Sequence, residues 1–84
     1  MIKVLFFARI REQLGTDEMS VPFGDDTATL GALQQWLVAT GGSDWDSVLG
    51  ASNVLRAVNQ EEAGLECALA DGDEVAFFPP VTGG

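Results

Sequence analysis

The 84-residue sequence contains no histidine and only one cysteine, Cys67. Without histidine, the chain has no imidazole for acid–base catalysis, for a catalytic triad or for a histidine-ligated metal site. One cysteine excludes an intramolecular disulfide. No lysine or histidine lies near Cys67 in the sequence to activate its thiol, so we interpret Cys67 as a small apolar packing residue.

Basic residues are also scarce, with 4 Lys and Arg against 13 Asp and Glu and a formal net charge of -9. This charge disfavours nucleic acid and anionic membrane surfaces as partners. It is consistent with a basic protein partner, and equally with a simple role in solubility. No apolar run approaches the ~20 residues of a membrane span, and no secretory signal is recognised. We therefore expect a cytoplasmic protein.

The sequence has neither a phosphate-binding glycine loop nor a convincing metal site. Gly41 and Gly42 are followed by Ser43 and Asp44 rather than by a Lys-Ser/Thr pair. Asp71 and Asp73 supply too few ligands for a metal, and turn chemistry explains them. We predict no metal and no bound cofactor, and no catalytic side chain in this chain itself.

Apolar periodicity predicts an α+β domain. Strands are expected over 1–10, 17–23, 54–59 and 74–78, with a weak short strand or a loop near 67–69. The main helix follows a cap at Thr27 or Thr29, and short helical turns are expected near 9–15 and 43–50. Turns are expected at 62–64 and 71–73. Leu30, Leu33, Leu37 and Val38 form the core stripe of the helix. In the last strand, Phe77 and Phe78 face opposite sides of the sheet.

The order of these elements predicts the β-grasp fold. A hairpin, a helix and a return to the sheet give a mixed sheet packed on one main helix. Pro22 marks the second strand as an edge or terminating strand. We assign the β-grasp domain to residues 1–78 and an extended tail to residues 79–84.

The tail sequence "PPVTGG" has the properties of a rigid spacer with a slim end. Pro79 and Pro80 favour extended geometry, and Val81 and Thr82 are β-branched. Gly83 and Gly84 carry no Cβ, so a narrow channel can close around their backbone. We interpret the terminal carboxylate of Gly84 as the reactive group of the protein. The alternative is that the prolines merely end a strand and the glycines are incidental.

These residues bring the sequence close to a known family. "MIKVLFFARIRE", "GTD", "AVNQ" and above all "LADGDEVAFFPPVTGG" resemble the small subunits of molybdopterin synthases, which are ubiquitin-like sulfur carriers. The resemblance covers nearly the whole chain, from Met1 to Gly84, and is least diagnostic between about 25 and 55. The long C-terminal motif is its most specific part.

The resemblance implies a function for the tail. Gly84 would be adenylated by an ATP-using adenylyltransferase related to ubiquitin-activating enzymes, and a sulfur donor enzyme would convert it to a thiocarboxylate. The tail would then enter the active site of the large synthase subunit. There its sulfur would be transferred to cyclic pyranopterin monophosphate, and two transfers would build the dithiolene of molybdopterin. The family also implies a heterotetramer with two small subunits flanking a dimer of large subunits.

A partner surface is predicted beside the tail. Leu5, Phe7 and Phe78 fall on the sheet face that points away from the main helix, and exposed aromatic clusters commonly mark interfaces. Arg11 lies at the expected rim of this surface. The alternative is that a loop covers these side chains or that crossing strands bury them.

Three other functions remain open on the sequence alone. The first is a sulfur carrier of another pathway, such as thiamine synthesis or tRNA thiolation, with the same chemistry at Gly84. The second is a ubiquitin-like modifier that forms an isopeptide bond with lysine. The third is a non-reactive interaction domain.

Overall fold

The computed structural model describes residues 1–80, so the predicted tail residues Val81, Thr82, Gly83 and Gly84 lie outside the described part of the chain. The elements in chain order are β1 (Ile2–Phe6), α1 (Ala8–Leu14), β2 (Glu18–Val21), a 3-10 turn (Asp25–Thr27), α2 (Leu30–Gly41), α3 (Ser43–Leu49), β3 (Leu55–Val58), β4 (Glu61–Glu62) and β5 (Glu74–Phe78). Within residues 1–80, none of the helices has the length and apolar character needed to cross a membrane.

The strands form one mixed sheet in the order β2-β1-β5-β3-β4. The two central strands β1 and β5 are parallel, and every other neighbouring pair is antiparallel. β2 lies at an edge, as the position of Pro22 predicts. A mixed sheet on one main helix confirms the predicted β-grasp arrangement, and the short helical turns predicted near 9–15 and 43–50 are the helices α1 and α3.

The main helix α2 begins and ends where the sequence indicates. The Thr29 hydroxyl accepts a hydrogen bond from the Ala32 N–H at 3.1 Å, which makes Thr29 the N-cap. Of the predicted stripe, Leu30, Leu33 and Leu37 are fully buried against the sheet, whereas Val38 is only half-buried and lies outside the core cluster. The i, i+3, i+4 spacing of apolar residues therefore decides which side of α2 faces the core.

Alternate residues of β1 and β5 form the other half of the core. Val4, Phe6, Val75 and Phe77 are buried on the face that meets the helices. Phe6 stacks on Phe77 with ring centroids 5.8 Å apart, and its ring meets Trp45 of α3 edge to face at 5.5 Å. Helix α3 thus contacts the aromatic pair that joins β1 and β5.

The first strand is shorter than predicted, and a helix replaces its second half. β1 ends at Phe6, and Ala8 takes a φ of 52° before α1 continues to Leu14. The Ile10 N–H donates to the Phe7 carbonyl oxygen at 3.1 Å, and Ile10 is buried. The expected strand over 1–10 was wrong because alternation in "ARI" fits a strand as well as a helix. A left-handed alanine gives no sequence signal.

The predicted turn at 62–64 is also wrong. The β3–β4 hairpin turns at Asn59 and Gln60, whose φ angles are 51° and 71°. Both lie in the left-handed region, which suits a tight hairpin turn. Glu61 and Glu62 consequently pair with β3 instead of ending a loop.

Two smaller predictions are resolved as well. Residues 67–69 form the loop and not the weak strand, and only an isolated bridge joins Ala68 to Thr29. The N-cap of α3 is Gly42, with φ 100°, rather than Ser43 or Asp44. Backbone hydrogen bonds from Leu30 and Gly31 to the 65–67 loop replace strand pairing.

The turn before β5 contains a carboxylate whose titration affects stability. Asp73 accepts hydrogen bonds from the Asn59 amide at 3.0 Å and from the Ala70 N–H at 2.8 Å. The Asn59 bond, followed by the Ala70 bond, lowers the pKa of Asp73 below its ordinary value of 3.8. These bonds connect the β3–β4 hairpin to the start of β5.

Replacing Asp73 with asparagine is expected to change how the free energy of unfolding depends on pH below about pH 5. A lowered folded-state pKa means that the unfolded chain binds more protons, so the contribution of Asp73 is complete above about pH 5 and is lost as pH falls through the folded pKa. Asp73→Asn should therefore be less stable than wild type at pH 7, by a small margin because the carboxylate is partly solvated. Urea unfolding at several pH values should show this margin shrinking toward about pH 2. A margin that is constant with pH would contradict the assignment, and Asp17→Asn, at an exposed position outside the helices, is the control.

Candidate functional site: the tail root and the outer sheet face

The tail leaves the domain from the centre of the sheet. β5 lies between β1 and β3, and its last inward residue, Phe77, accepts a hydrogen bond from the Phe7 N–H at 3.1 Å. The ladder is thus maintained up to the strand end at Phe78. The C-terminal end of β5, which we call the tail root, is paired with a strand on each side. The segment that follows it therefore has a defined starting direction.

Pro79 remains in contact with the domain, whereas Pro80 is exposed. Pro79 lines a shallow depression between α1 and α3 together with Arg9, Ile10, Val48 and Val54. Its fixed φ and its half-buried ring carry the direction of β5 one residue beyond the sheet. The predicted reactive end and spacer, Gly84, Gly83, Thr82 and Val81, lie outside the described residues.

A row of apolar side chains crosses the sheet face that points away from the helices. The strand register places Leu5 opposite Ala76, Ala57 opposite Ala76, and Leu55 opposite Phe78. Directly opposed residues share a face. We call Leu5, Leu55, Ala57, Ala76 and Phe78 the outer apolar surface. These residues do not belong to the core cluster, and all but Ala57 are half-buried.

Phe7 extends this surface at the tail end. It lies just beyond β1, but its backbone is still extended, with φ -121° and ψ 154°. Alternation therefore places its side chain on the same side as that of Leu5, and it is 46% exposed. Leu5, Phe7 and Phe78 are thus placed together, as the sequence predicts, and no described loop buries Phe7. The sequence reading missed Leu55, because only the β3–β5 register shows that it lies opposite Phe78.

The exposed arginines of the chain lie on α1 beside the tail root. Arg11 is exposed, and its backbone N–H donates to the Phe7 carbonyl oxygen at 3.3 Å. Its place at the rim of the partner surface stays a prediction. Arg9 is exposed and lines the depression with Pro79. Lys3, by contrast, lies 4.0 Å from Glu18. A protein of net charge -9 therefore places two arginines beside its tail.

Sequence reasoning missed Arg56, which connects three elements behind the tail root. Its Nε donates to Gln34 of α2 at 2.7 Å, its Nη2 to the Leu49 carbonyl at 2.9 Å, and its Nη1 to the Val54 carbonyl at 3.2 Å. The guanidinium carbon lies 6.0 Å from the Phe77 ring centroid. Burial lowers the pKa of Arg56 below its ordinary value. A cation inside the apolar run "VLRAV" was the available sequence signal.

Replacing Arg56 with methionine is expected to destabilise the domain by about 1–3 kcal/mol, because the Leu49 and Val54 carbonyls lose a charged donor. The stability of Arg56→Lys should lie between those of wild type and Arg56→Met, because an ammonium keeps the charge but does not reproduce the planar fork of the guanidinium. Urea unfolding measures both variants. A methionine variant as stable as wild type would show that water replaces the guanidinium at no cost.

The remaining candidate groups serve structure. Cys67 is half-buried, packs against the core and donates a weak hydrogen bond to the Ala68 carbonyl. Asp71 pairs with the amino group of Met1, and Asp73 is bound within its turn. No group of three or more potential metal ligands occurs among residues 1–80.

Comparisons with known proteins agree with this geometry. The model of the ThiS family matches residues 4–84. The molybdopterin synthase sulfur carrier subunit of Escherichia coli (strain K12) is 52% identical over 85 residues, covering 100% of both chains. The crystal structure of SAMP1 from Haloferax volcanii has a TM-score of 0.82 and 32% identity, covering 99% of this chain and 98% of that one.

A third relative is seen with its partner. The structure is a protein–protein complex of subunits 1 and 2 of the molybdopterin-converting factor from Helicobacter pylori 26695. The matched chain has a TM-score of 0.69 and 25% identity, and the match covers 99% of this chain and 97% of that one.

Proposed function

The chain belongs to the ThiS family, and from that premise we propose that it is the sulfur carrier subunit of a molybdopterin synthase. The observation that carries the proposal is the full-length similarity, at 52% identity, to a molybdopterin synthase sulfur carrier subunit, together with a family match that extends to Gly84. The root that β5 and Pro79 give to the tail supports it, because a carrier must present its end in a reproducible direction.

The chemistry takes place at the α-carboxylate of Gly84. This group has a pKa of about 3.3–3.7 when unperturbed and is therefore an anion at neutral pH. One of its oxygens attacks the α-phosphorus of ATP, pyrophosphate leaves, and an acyl-adenylate forms. Hydrosulfide, which the sulfur donor enzyme provides, then adds to the activated carbonyl and displaces AMP, so that its sulfur takes the place of one carboxylate oxygen. The product is the thiocarboxylate that donates sulfur to cyclic pyranopterin monophosphate.

The carrier supplies the substrate-like end, and its partners supply the catalytic groups. Glycine at position 84 leaves the carbonyl open to attack, and Gly83 lets an active-site channel close around the backbone. The sequence contains no histidine to act as a general base at neutral pH. In this proposal the chain binds no cofactor, and the adenylyltransferase uses the ATP.

The outer apolar surface, with Phe7 beside it, is the docking face for the large subunit. It is apolar at its centre, and Arg11 stands at its rim, which is the usual composition of a protein interface. It is continuous with the tail root, so a partner bound there receives the tail directly. The heterotetramer, the adenylyltransferase, the sulfur donor enzyme and the cytoplasmic location are further parts of the proposal.

Intact mass spectrometry tests the function. The full chain is incubated with the adenylyltransferase, ATP and a sulfur donor enzyme, and its mass should increase by about 16 Da, because sulfur replaces one oxygen of the terminal α-carboxyl group. Adding the large subunit and the pyranopterin precursor should return the mass to its starting value. An unchanged mass in the first step, with a partner enzyme that modifies a known carrier, argues against the carrier role. Isopeptide adducts would indicate a modifier instead.

A further inference from the structure

The helix side of the molecule has a groove, lined by both aromatic and acidic residues, that the sulfur carrier function does not use. Two adjoining depressions lie between the β2–α2 connection and α2, and both are lined by Asp26 and Trp36. We call the residues that line them the Trp36 groove, which consists mainly of Phe23, Asp25, Asp26, Ala32, Trp36 and Ala39.

The walls of this groove are held by hydrogen bonds. The Thr27 side chain is buried, and its hydroxyl donates to the Pro22 carbonyl at 2.9 Å and accepts from the Gly24 N–H at 3.0 Å. The Thr27 N–H donates to the Gly24 carbonyl at 3.0 Å. The opposite wall is α2, which is capped by Thr29. The groove therefore exists before any ligand binds, which lowers the entropy cost of binding.

The aromatic residues of the groove are more exposed than packing requires. Phe23 is 40% exposed and does not belong to the core cluster. Trp36 packs against the core with part of its ring and leaves the rest at the surface. Aromatic side chains exposed together on a small domain commonly mark a binding surface.

The charge of the groove selects its occupant. Asp25 and Asp26 are exposed, and the ion pairs found among residues 1–80 are Met1–Asp71 and Lys3–Glu18. None of the four basic residues of the chain lines the groove. Asp25 and Asp26 interact favourably with the dipole of α2, because they lie near its N-terminus. This interaction does not explain why the rings of Phe23 and Trp36 are exposed beside them. Carboxylates next to an indole face form a suitable site for a guanidinium or ammonium group.

We propose that the Trp36 groove docks a cationic segment of a partner protein, in which an arginine or lysine is flanked by aliphatic residues. The cation lies between the carboxylates of Asp25 and Asp26 and the Trp36 ring, and the aliphatic neighbours cover Phe23, Ala32 and Ala39. Because α2 covers the inner face of the sheet, the groove lies on the side opposite the outer apolar surface. The groove is thus a docking site separate from the outer apolar surface. This inference does not depend on the proposed function.

The test uses the ¹⁵N-labelled full chain and a capped peptide of alternating leucine and arginine as the probe. NMR titration should show saturable shifts at the Trp36 indole N–H and at the Asp25 and Asp26 amides, while Leu5 and Phe78 stay unchanged. Asp25→Asn/Asp26→Asn should weaken binding by about tenfold or more. Phe23→Ser, at an exposed site that tolerates substitution, should weaken it as well.

Glu61→Gln/Glu62→Gln is the matched control, because it removes the same charge from an exposed pair in the β3–β4 hairpin, outside the Trp36 groove. It should change affinity by less than about twofold. Equal weakening by the two double variants, shifts spread over the acidic surface, or equal binding of a peptide with glutamine in place of arginine would overturn the proposal. Shifts confined to the outer apolar surface would overturn it too.

Discussion

A chain without Gly84 is expected to lose sulfur transfer almost completely while it keeps its fold. Removing one residue shortens the reach of the chain end by up to about 3.5 Å. A displacement of about 1 Å at a reacting centre can cost about a hundredfold in rate. We therefore expect the deletion to lower thiocarboxylate formation by more than a hundredfold, which is effectively to background. The core and hydrogen bonds of the described fold are made by residues 1–80, so stability should not change.

Gly84→Ala distinguishes the effect of tail length from the effect of steric bulk at the last residue. This variant keeps the carboxylate at its normal distance but adds one methyl group beside the carbonyl that sulfur attacks. It should retain more activity than the deletion and less than wild type. Intact mass follows thiocarboxylate formation for all three chains, and urea unfolding should give the same midpoint for each. Full activity of the deletion variant would show that the reacting group is elsewhere in the chain.

The parts of the fold that were predictable are those in which local pattern and tertiary packing agree. Leu30, Leu33 and Leu37 have helical spacing and all three are buried, so the sequence alone placed α2. The turn before β5 was predicted from its glycine, and Gly72 does take a φ of 93°. In each case the residue type that packing or geometry required was also the residue type that local propensity favours.

The errors arose where tertiary contacts decided between equivalent local patterns. Ile10 suits a strand as well as a helix, and its burial as the inward residue of α1 depends on packing against distant elements. Asn59 turns the β3–β4 hairpin because its amide also holds Asp73 and its backbone pairs with Glu74. These partners are remote in sequence, so periodicity gives no information about them.

The same reasoning explains which parts of the candidate site were predicted. Alternation along single strands was enough to assign Leu5 and Phe78 to the outer face. Leu55 and Arg56 required the register of β3 on β5, which no single-strand pattern contains. Arg56 shows a further difficulty, because a charged residue in an apolar run suggests an exposed position until its three acceptors are located.

Phe77 and Phe78 are expected to give opposite phenotypes when each is replaced with alanine, although they are adjacent in the chain. Phe77 is fully buried, stacks on Phe6 and lies beside the guanidinium of Arg56. Phe77→Ala should cost about 3–5 kcal/mol of unfolding free energy through lost burial and the cavity left behind. For a domain of this size that is a large share of its total stability, which is typically about 5–15 kcal/mol.

Phe78→Ala removes a half-buried ring that packs beside Leu55 on the outer face, outside the core cluster. We expect a loss of about 1 kcal/mol of stability or less, because this ring creates no closed cavity. Binding to the large subunit should instead weaken by about 2 kcal/mol or more, the cost of truncating a central aromatic in an interface. Urea unfolding of each variant and calorimetric titration with the large subunit measure the two quantities.

The comparison is informative because the two variants lose the same atoms from the same strand, and only the face of the sheet differs. If the outer apolar surface is the docking face, the folded fraction of Phe77→Ala should bind the large subunit far better than Phe78→Ala does, despite its lower stability. Equal binding by Phe78→Ala and wild type would assign the docking energy to the tail alone. The carrier would then be recognised through its last residues, and the exposure of Phe7 and Phe78 would need another explanation.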